Sequence, residues 1–332
     1  MSWWTRFFQP KIVTNSPYQA ALQYNYETQG SGLYAWQNGQ TVFRYPTDSN
    51  DLHDIFSGSK TIIALAFLSL LEEKRLTLTD RASDYIPEFK TGGRQNITVR
   101  ELLTLTSGLE VGNVISNFLP YETAKNARKL KNRGFEYGAT SYQVLGLIFK
   151  KVCPRQKLEN YLKKRFFTPL GIINYEWSEV LDNDNMVSWG LKLRLEDWAK
   201  FGILILLKGN FEGKQLLQPK TIQMLTKTTR ANPYFGLSTW SIKRGQTSAI
   251  ISKSSGITRD FTVKSFAQII SHLRRLDFQQ VIFCVGMNSQ RLYIIPEKKL
   301  VIARFASIED LYFSDYQLIS KIVTVLQKEK KN

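Results

Sequence analysis

Ser57 and Lys60 are the residues of this chain whose types and spacing most directly suggest chemistry. They open an apolar run typical of a buried helix, in the order Ser57-Gly58-Ser59-Lys60. Side chains three residues apart share a helix face, so the lysine amine can approach the serine oxygen. Burial lowers the pKa of a lysine and frees its lone pair to act as a base. The pair indicates nucleophilic catalysis, although a capping serine followed by a surface lysine has the same short pattern.

The composition restricts which other chemistries are available. The 332 residues include two histidines, His53 and His272, and two cysteines, Cys153 and Cys284. No CxxC or HExxH spacing occurs, so we expect neither a metal nor another cofactor. The chain also lacks a GxSxG nucleophile turn that either histidine could serve. An enzyme of this composition would therefore carry protons on a residue other than histidine.

Helical and strand patterns follow one another in an order that can position this pair. Asn38-Gly39 separates two short strand-like runs and predicts a tight hairpin. The run from Ser57 to Leu71 predicts a buried helix because it is apolar on nearly every face. Helical patterns occupy about 75–235, strand patterns return after them, and a final amphipathic helix is predicted over about 314–328.

This order predicts an α+β fold of two lobes. An antiparallel sheet formed by both chain ends, with helices flanking it, buries the apolar faces of these elements. We expect the sheet lobe to comprise residues 1–74 and 236–332, and an inserted, mostly helical lobe to comprise residues 75–235. The cleft between two such lobes is a natural place for a binding site.

Longer motifs around the serine and lysine resemble those of the serine β-lactamase and penicillin-binding-protein superfamily. The segments that carry the resemblance are FSGSKTIIALAFLSLLEEKRLTLTDRASDYIPEF, NITVRELLTLTSGL, FEYGATSYQVLG, WGLKLRLEDWAKFGILILLKG and QRLYIIPEKKLVIARF. The chain looks most similar to the branch of class C β-lactamases, esterases and aminohexanoate-dimer hydrolases. The resemblance covers about residues 30–330 and implies a β-lactamase/transpeptidase-like fold with an acyl-enzyme mechanism.

The resemblance also implies a role for each matching residue. Ser57 would be the acylated nucleophile, Lys60 its base partner, and Tyr137 the tyrosine of the family's Y-x-N motif. The cation of Lys60 would stabilise a Tyr137 phenolate, and the two could then pass the Ser57 proton to the leaving group. The backbone amides of Ser57 and Met287 would form the oxyanion hole. Without the motif, Tyr137 would be interpreted as a core tyrosine.

Two positions depart from the family's motifs and bear on the substrate. Ala139 stands where the second motif has Asn, and Cys284-Val285-Gly286 stands where the third motif has K-T-G or H-x-G. The first change removes a substrate-binding amide, and the second removes a cation suited to a β-lactam or peptide carboxylate. Cys284 is interpreted as a small core residue, and Gly286 would let an acyl group approach the strand. A cation elsewhere, such as Arg291, could compensate.

These departures favour a serine hydrolase whose partner is a small-molecule ester or amide. Two alternatives stay open. One is a penicillin-interacting β-lactamase or D-Ala-D-Ala carboxypeptidase with unusual motif residues. The other is a catalytically degenerate relative that binds a ligand or partner, against which intact Ser57, Lys60 and Tyr137 argue.

An insertion over residues 241–280 interrupts the resemblance. Residues Thr262 to Leu276 form an amphipathic pattern that predicts a helix, preceded by the segment SKSSG. Because this helix comes just before the third motif, it could overhang the cleft as a lid. A surface elaboration that packs on the edge of the sheet is the equal alternative.

The chain is strongly basic, with 45 Lys and Arg against 28 Asp and Glu, a formal excess of +17. The basic residues are scattered and no nucleic-acid-binding motif occurs, so we expect no nucleic-acid partner. Trp3, Trp4, Phe7 and Phe8 could contact a membrane interface, but packing on the domain or a partner is the favoured interpretation. With no membrane-spanning run and no evident secretory signal, we expect a cytoplasmic protein.

Overall fold

The computed structural model describes residues 16–46, 50–111, 120–130, 134–180, 184–246 and 259–329. The helices are α1 Gln19–Glu27, α2 Ser59–Glu72, α3 Ala82–Tyr85, α4 Val99–Leu103, α5 Pro120–Asn126, α6 Thr140–Val152, α7 Leu158–Leu162, α8 Leu195–Leu206, α9 Pro219–Ile222, α10 Arg259–Arg274 and α11 Asp315–Glu329. The strands are β1 Gly30–Gln37, β2 Gln40–Tyr45, β3 His53–Asp54, β4 Glu176–Trp177, β5 Glu179–Val180, β6 Asp184–Asn185, β7 Leu191–Leu193, β8 Asn210–Phe211, β9 Lys214–Gln215, β10 Trp240–Lys243, β11 Gln280–Gly286, β12 Gln290–Ile295 and β13 Leu300–Ala306. The N-terminal aromatic residues considered for membrane contact lie outside these ranges.

The centre of the fold is a six-stranded antiparallel sheet whose strands come from both ends of the chain. Its order is β10-β11-β12-β13-β1-β2, so the first strands of the chain lie beside the last. Asn38 and Gly39 join β1 to β2, and their φ values of 51° and 94° suit the tight turn that this pair predicts. The predicted α+β class, with a sheet assembled from both chain ends, is confirmed.

Helices cover both faces of this sheet. Leu292 of β12 faces Gly202 of α8, where a Cβ would lie 3.0 Å from the leucine methyl group. The neighbouring residue Arg291 instead hydrogen-bonds Asp315 of α11. Successive residues of a strand point to opposite faces, so α8 and α11 lie on opposite sides. α11 contacts both α1 and α10, which places the terminal helices and the inserted helix together.

α2 is buried along nearly its whole length. Its residues from Ser59 to Leu70 are buried, as the continuously apolar pattern predicts. The helix contacts α9 on the helical side, and its Thr61 reaches Cys284 of β11 on the sheet side. Ser57, which lies just before α2, is therefore held between the sheet and the helical part of the chain.

The middle of the chain is mostly helical but also contains short strands that the sequence did not indicate. β3 pairs with β7, and β7 also pairs with β4. Strands of two or three residues are too short to show a period of two. The pairing of His53 with Leu193 joins the segment before Ser57 to the helical region. The lobe boundaries at residues 74/75 and 235/236 stay a prediction.

Candidate active site

Ser57 lies on a short 3-10 turn between β3 and α2. The turn comprises Phe56–Gly58, and α2 begins at the next residue. Phe56 has a left-handed φ of 46°, an unfavourable conformation for an aromatic residue, so the chain changes direction sharply before Ser57. Gly58 permits close packing, because a Cβ there would lie 2.7 Å from the ring of Trp198. This geometry leaves Ser57 partly exposed on a tightly packed base.

The buried amine of Lys60 contacts Ser57. Its Nζ lies 2.8 Å from Ser57 Oγ and donates to the carbonyl oxygen of Ser188 at 2.9 Å. Burial lowers the pKa of Lys60 to about 7, so a large fraction of the amine is neutral at neutral pH. In that form the serine hydroxyl can donate to the nitrogen lone pair, which is the geometry of a general base. The two side chains meet as their i, i+3 spacing predicts.

Tyr137 joins this cluster from the segment before α6. Its side chain hydrogen-bonds Ser57, and its ring centroid lies 5.1 Å from Lys60 Nζ. Burial raises the pKa of Tyr137 to about 12, and the bond to Ser57 offsets part of that rise. The expected phenolate is therefore disfavoured in the free site, and Lys60 is the group whose pKa is shifted towards a base. Ala139 lies two residues farther on and is buried immediately before α6.

β11 brings the third-motif residues against the turn that carries Ser57. Cys284 is buried with its Sγ 3.2 Å from Thr61 Oγ1, and burial raises the pKa of its thiol to about 12. The thiol is therefore neutral and packed against α2. Met287 follows directly after β11, at the end of the strand that contacts the turn, and its side chain is exposed. Its role in an oxyanion hole stays a prediction.

Gly286 is required by the packing of β11 on this turn. A Cβ at Gly286 would clash with the carbonyl oxygen of Ile55 and would lie 3.0 Å from the Cβ of Gln290. The space where a Cβ would lie is thus taken by protein backbone, and the role of Gly286 in admitting an acyl group stays a prediction. The glycine sets how closely the third motif approaches Ser57.

We expect Gly286→Ala to reduce the catalytic rate by about 100-fold, because the substitution must move either the strand end or the nucleophile turn. Hydrolysis rates and urea unfolding midpoints of the purified variant would measure this. Gly32→Ala is the control, since a Cβ at Gly32 on β1 of the same sheet first meets the flexible end of Leu195 at 3.0 Å. Equal rates for Gly286→Ala and the unaltered protein would contradict this role for the glycine.

Arg291 does not replace the missing third-motif cation. Its guanidinium is buried on the face of the sheet that packs on α11, where its Nε lies 3.0 Å from Asp315 Oδ1. Tyr293 donates to the same carboxylate oxygen at 2.5 Å, and His272 of α10 lies 3.2 Å from the other oxygen. Cys284 and Arg291 point to opposite faces, because Cys284 is paired with Leu292. The compensation considered from the sequence is therefore wrong for Arg291.

Three further contacts of the site were not foreseen from the sequence. Ser188 supplies the carbonyl that binds Lys60, while Trp240 and Phe266 pack around Tyr137 at centroid distances of 6.0 and 4.8 Å. Phe266 belongs to α10, which begins three residues before the predicted helix, and the segment SKSSG lies outside the described residues. The sequence predicts the apolar face of α10, but it does not show that this face packs against Tyr137 and Trp240.

Across the residues described, no group of three or more His, Cys, Asp or Glu side chains is arranged to hold a metal ion. Of the helices within those ranges, none combines the length and the apolar character needed to cross a membrane.

The sequence matches a known family model and several curated proteins. The family model is described as Beta-lactamase and matches residues 17–318. One relative is a Bacillus subtilis protein assigned as the penicillin-binding protein PbpX, 30% identical over 153 residues. That match covers 44% of this chain and 38% of the relative, so the chain spans well under half of the relative's length.

Solved structures share the same fold at low sequence identity. A Bacillus anthracis protein assigned as a 6-aminohexanoate-dimer hydrolase matches with a TM-score of 0.68 and 18% identity, covering 92% of this chain and 80% of that one. A D-stereospecific amidohydrolase from Streptomyces matches with a TM-score of 0.65 and 17% identity, covering 93% and 98%. At such identities these likenesses show the fold alone.

Proposed function

The chain belongs to the beta-lactamase family, and on that basis we propose that it is a serine hydrolase that cleaves an uncharged carboxylic ester or small amide. The observation that carries this proposal is the 2.8 Å contact between Ser57 Oγ and the buried Nζ of Lys60. A nucleophile and a base at hydrogen-bond distance are what acyl-enzyme formation needs. The sequence match to a protein assigned as penicillin-binding favours a β-lactam or peptide substrate as the second candidate.

The proposed reaction begins with neutral Lys60 as the base. Lys60 takes the hydroxyl proton of Ser57 while Oγ attacks the substrate carbonyl carbon, giving a tetrahedral oxyanion. The amides of Ser57 and Met287 stabilise that charge. Because burial keeps the pKa of Tyr137 at about 12, its hydroxyl is a proton donor at neutral pH. Tyr137 protonates the departing alkoxide or amine and is itself reprotonated by Lys60.

Hydrolysis of the acyl-enzyme would reverse these proton transfers. Water takes the place of the leaving group and its oxygen attacks the acyl carbonyl carbon. Its proton goes to the neutral amine of Lys60, either directly or through Tyr137, which takes the water proton as it passes its own to Lys60. The Ser57 ester then breaks, and the proton returns to Oγ. The products are the carboxylic acid and the free enzyme, with no co-reactant other than water.

The charges around Ser57 bear on which substrates the site would prefer. Cys284 is a neutral, buried thiol where relatives carry a cation, and Arg291 is paired with Asp315 on the far face of the sheet. Among the described residues, Lys60 is the basic side chain that hydrogen-bonds Ser57, and it acts as the base. A carboxylate on the substrate would therefore meet neither a third-motif cation nor Arg291, which favours esters and amides without a carboxylate.

The test compares three substrates on the purified protein: a p-nitrophenyl ester, a chromogenic cephalosporin and a D-Ala-D-Ala peptide. We expect turnover of the ester, together with a fluorophosphonate adduct that peptide mass spectrometry assigns to Ser57. Ser57→Ala should lose both signals. Preferential turnover of the cephalosporin or the peptide would replace this proposal with the second candidate. The absence of both turnover and adduct would favour a ligand-binding relative without catalysis.

A further inference from the structure

The inserted helix α10 reaches the tyrosine of the active site through one side chain. The ring of Phe266 lies 4.8 Å from that of Tyr137 and is tilted by 60° to it. The same Phe266 ring stacks on Trp240 of β10 at 4.3 Å with an angle of 27°. Phe266 is 6% exposed, so these contacts exclude water from the face of Tyr137 that it covers.

The helix is fixed where it makes this contact. Ile269, Ile270 and Leu273 are buried along the same stripe as Phe266. Near the C-terminal end of the helix, His272 Nδ1 lies 3.2 Å from Asp315 Oδ2 of α11. α10 therefore has two points of attachment: the aromatic cluster around Tyr137 and the carboxylate of Asp315.

Tyr137 depends on such support because it does not lie on a helix or a strand. It precedes α6 in a segment of irregular backbone, and its ring is surrounded by Phe135, Phe235, Trp240 and Phe266. Of these four rings, Phe266 is the one that the insertion contributes. The hydroxyl of Tyr137 must stay in contact with Ser57 for proton transfer, so the rings that pack on Tyr137 restrict that alignment.

We propose that Phe266 of α10 is a positioning residue, which holds Tyr137 against Ser57 and excludes water from that side of the cleft. This inference rests on the proposed serine hydrolase function. The sequence left open whether the inserted helix overhangs the cleft as a lid or packs on the edge of the sheet. In this proposal the helix does both, because it packs on the sheet and also closes one side of the site. The helix does not need to move in this role, since its contribution is to keep the side chain of Tyr137 in one orientation.

The test uses Phe266→Ala, Phe266→Leu and, as the matched control, Leu273→Ala. Leu273 is buried on the same helix stripe, but seven residues away, which is about 10 Å along the axis. We expect Phe266→Ala to lower kcat on the order of 10- to 100-fold, with little change in KM, because a displaced catalytic group slows the chemical step. Phe266→Leu should recover part of that loss, and Leu273→Ala should retain most of kcat.

A second measurement does not require activity. Nitration of tyrosines by tetranitromethane, located by peptide mass spectrometry, reports how accessible Tyr137 is. We expect faster nitration of Tyr137 in Phe266→Ala than in Leu273→Ala or the unaltered protein, with the other tyrosines as internal references. If Phe266→Ala does not fold, Phe266→Leu carries both measurements, with a smaller effect in the same direction.

The two failures can be distinguished. An unaltered protein that neither turns over ester nor labels at Ser57 overturns the proposed function, while nitration still decides whether Phe266 covers Tyr137. An active protein in which Phe266→Ala keeps its kcat, or in which Leu273→Ala loses as much, overturns the positioning role alone. Unchanged nitration of Tyr137 in Phe266→Ala also overturns it.

Discussion

Lys60→Met is expected to reduce ester hydrolysis by about 1,000- to 10,000-fold and at the same time to stabilise the folded protein. Activity falls because the base that lies 2.8 Å from Ser57 Oγ is removed. Stability rises because an amine that is buried against its hydration preference is replaced by an apolar side chain of similar length. Replacement of a buried catalytic lysine should lower activity while it raises stability. Replacement of a lysine with a purely structural role should not raise stability.

The pH dependence of both properties follows from the lowered pKa of Lys60. Only the neutral amine accepts the serine proton, so the catalytic rate should rise with pH around a midpoint of about 7. Below that pH Lys60 is protonated in both the folded and the unfolded state, and the buried charge lowers the free energy of unfolding by its full amount. Between about 7 and 10.5 the unfolded state binds the proton more tightly, so the stability of the unaltered protein should rise with pH.

The stability gain of Lys60→Met should therefore be greatest below pH 7 and small near pH 10. We expect it to be on the order of 2 kcal/mol at pH 6, because the carbonyl of Ser188 loses its donor and offsets part of the benefit. Urea unfolding at pH 6 and pH 9 would measure the difference. Lys214→Met, at an exposed lysine on β9, is the control. A Lys60→Met protein that is less stable at both pH values would contradict the assignment of a strained, buried base.

The elements that could be predicted from the sequence are those with a local signal. The Asn38-Gly39 hairpin, the buried helix α2 and strands β11 to β13 each carry their own turn or hydrophobic pattern. The approach of Lys60 to Ser57 is equally local, because one helical turn places the two side chains together. These features need no knowledge of the rest of the chain.

The features that the sequence did not reveal depend on contacts between distant segments. Whether Arg291 faces the cleft or α11 depends on the register of β12, and a shift of one residue would reverse it. The pKa of Tyr137 depends on burial by residues as distant in the sequence as Phe266. The prediction of a Tyr137 phenolate rests on the nearby Lys60, because the sequence does not show which rings surround the tyrosine. The contact between α10 and Tyr137 likewise requires the fold, since the helix pattern indicates a buried face without naming its partner.

Asp315→Asn is expected to destabilise the fold by about 3–5 kcal/mol, although Asp315 begins α11, on the side of the sheet opposite Cys284. The buried carboxylate of Asp315 binds the guanidinium of Arg291 at 3.0 Å and accepts a hydrogen bond from Tyr293 at 2.5 Å. An amide at this position would leave the buried Arg291 cation without its ion-pair partner. Removal of one partner of a buried pair costs more than removal of both. The double variant Asp315→Asn/Arg291→Met should therefore recover part of the lost stability.

Urea unfolding of these variants would measure the effect, with Asp277→Asn as the control for an exposed pair. Asp277 Oδ1 lies 3.0 Å from Arg244 Nε but is 79% exposed, so its loss should change stability by less than about 1 kcal/mol. Burial alone would raise the pKa of Asp315, but Arg291, His272 and Tyr293 outweigh it and hold that pKa below the ordinary value.

The contribution of Asp315 is thus present above the pKa of an unfolded aspartate, about 3.9, and is lost as the pH falls below it. Stability of the unaltered protein should decline from pH 5 to pH 3 more steeply than that of Asp315→Asn. Since His272 joins the same carboxylate to α10, the asparagine variant should also loosen the helix that carries Phe266. Asp315→Asn with the stability and pH dependence of the unaltered protein would show that the buried pair does not hold these elements together.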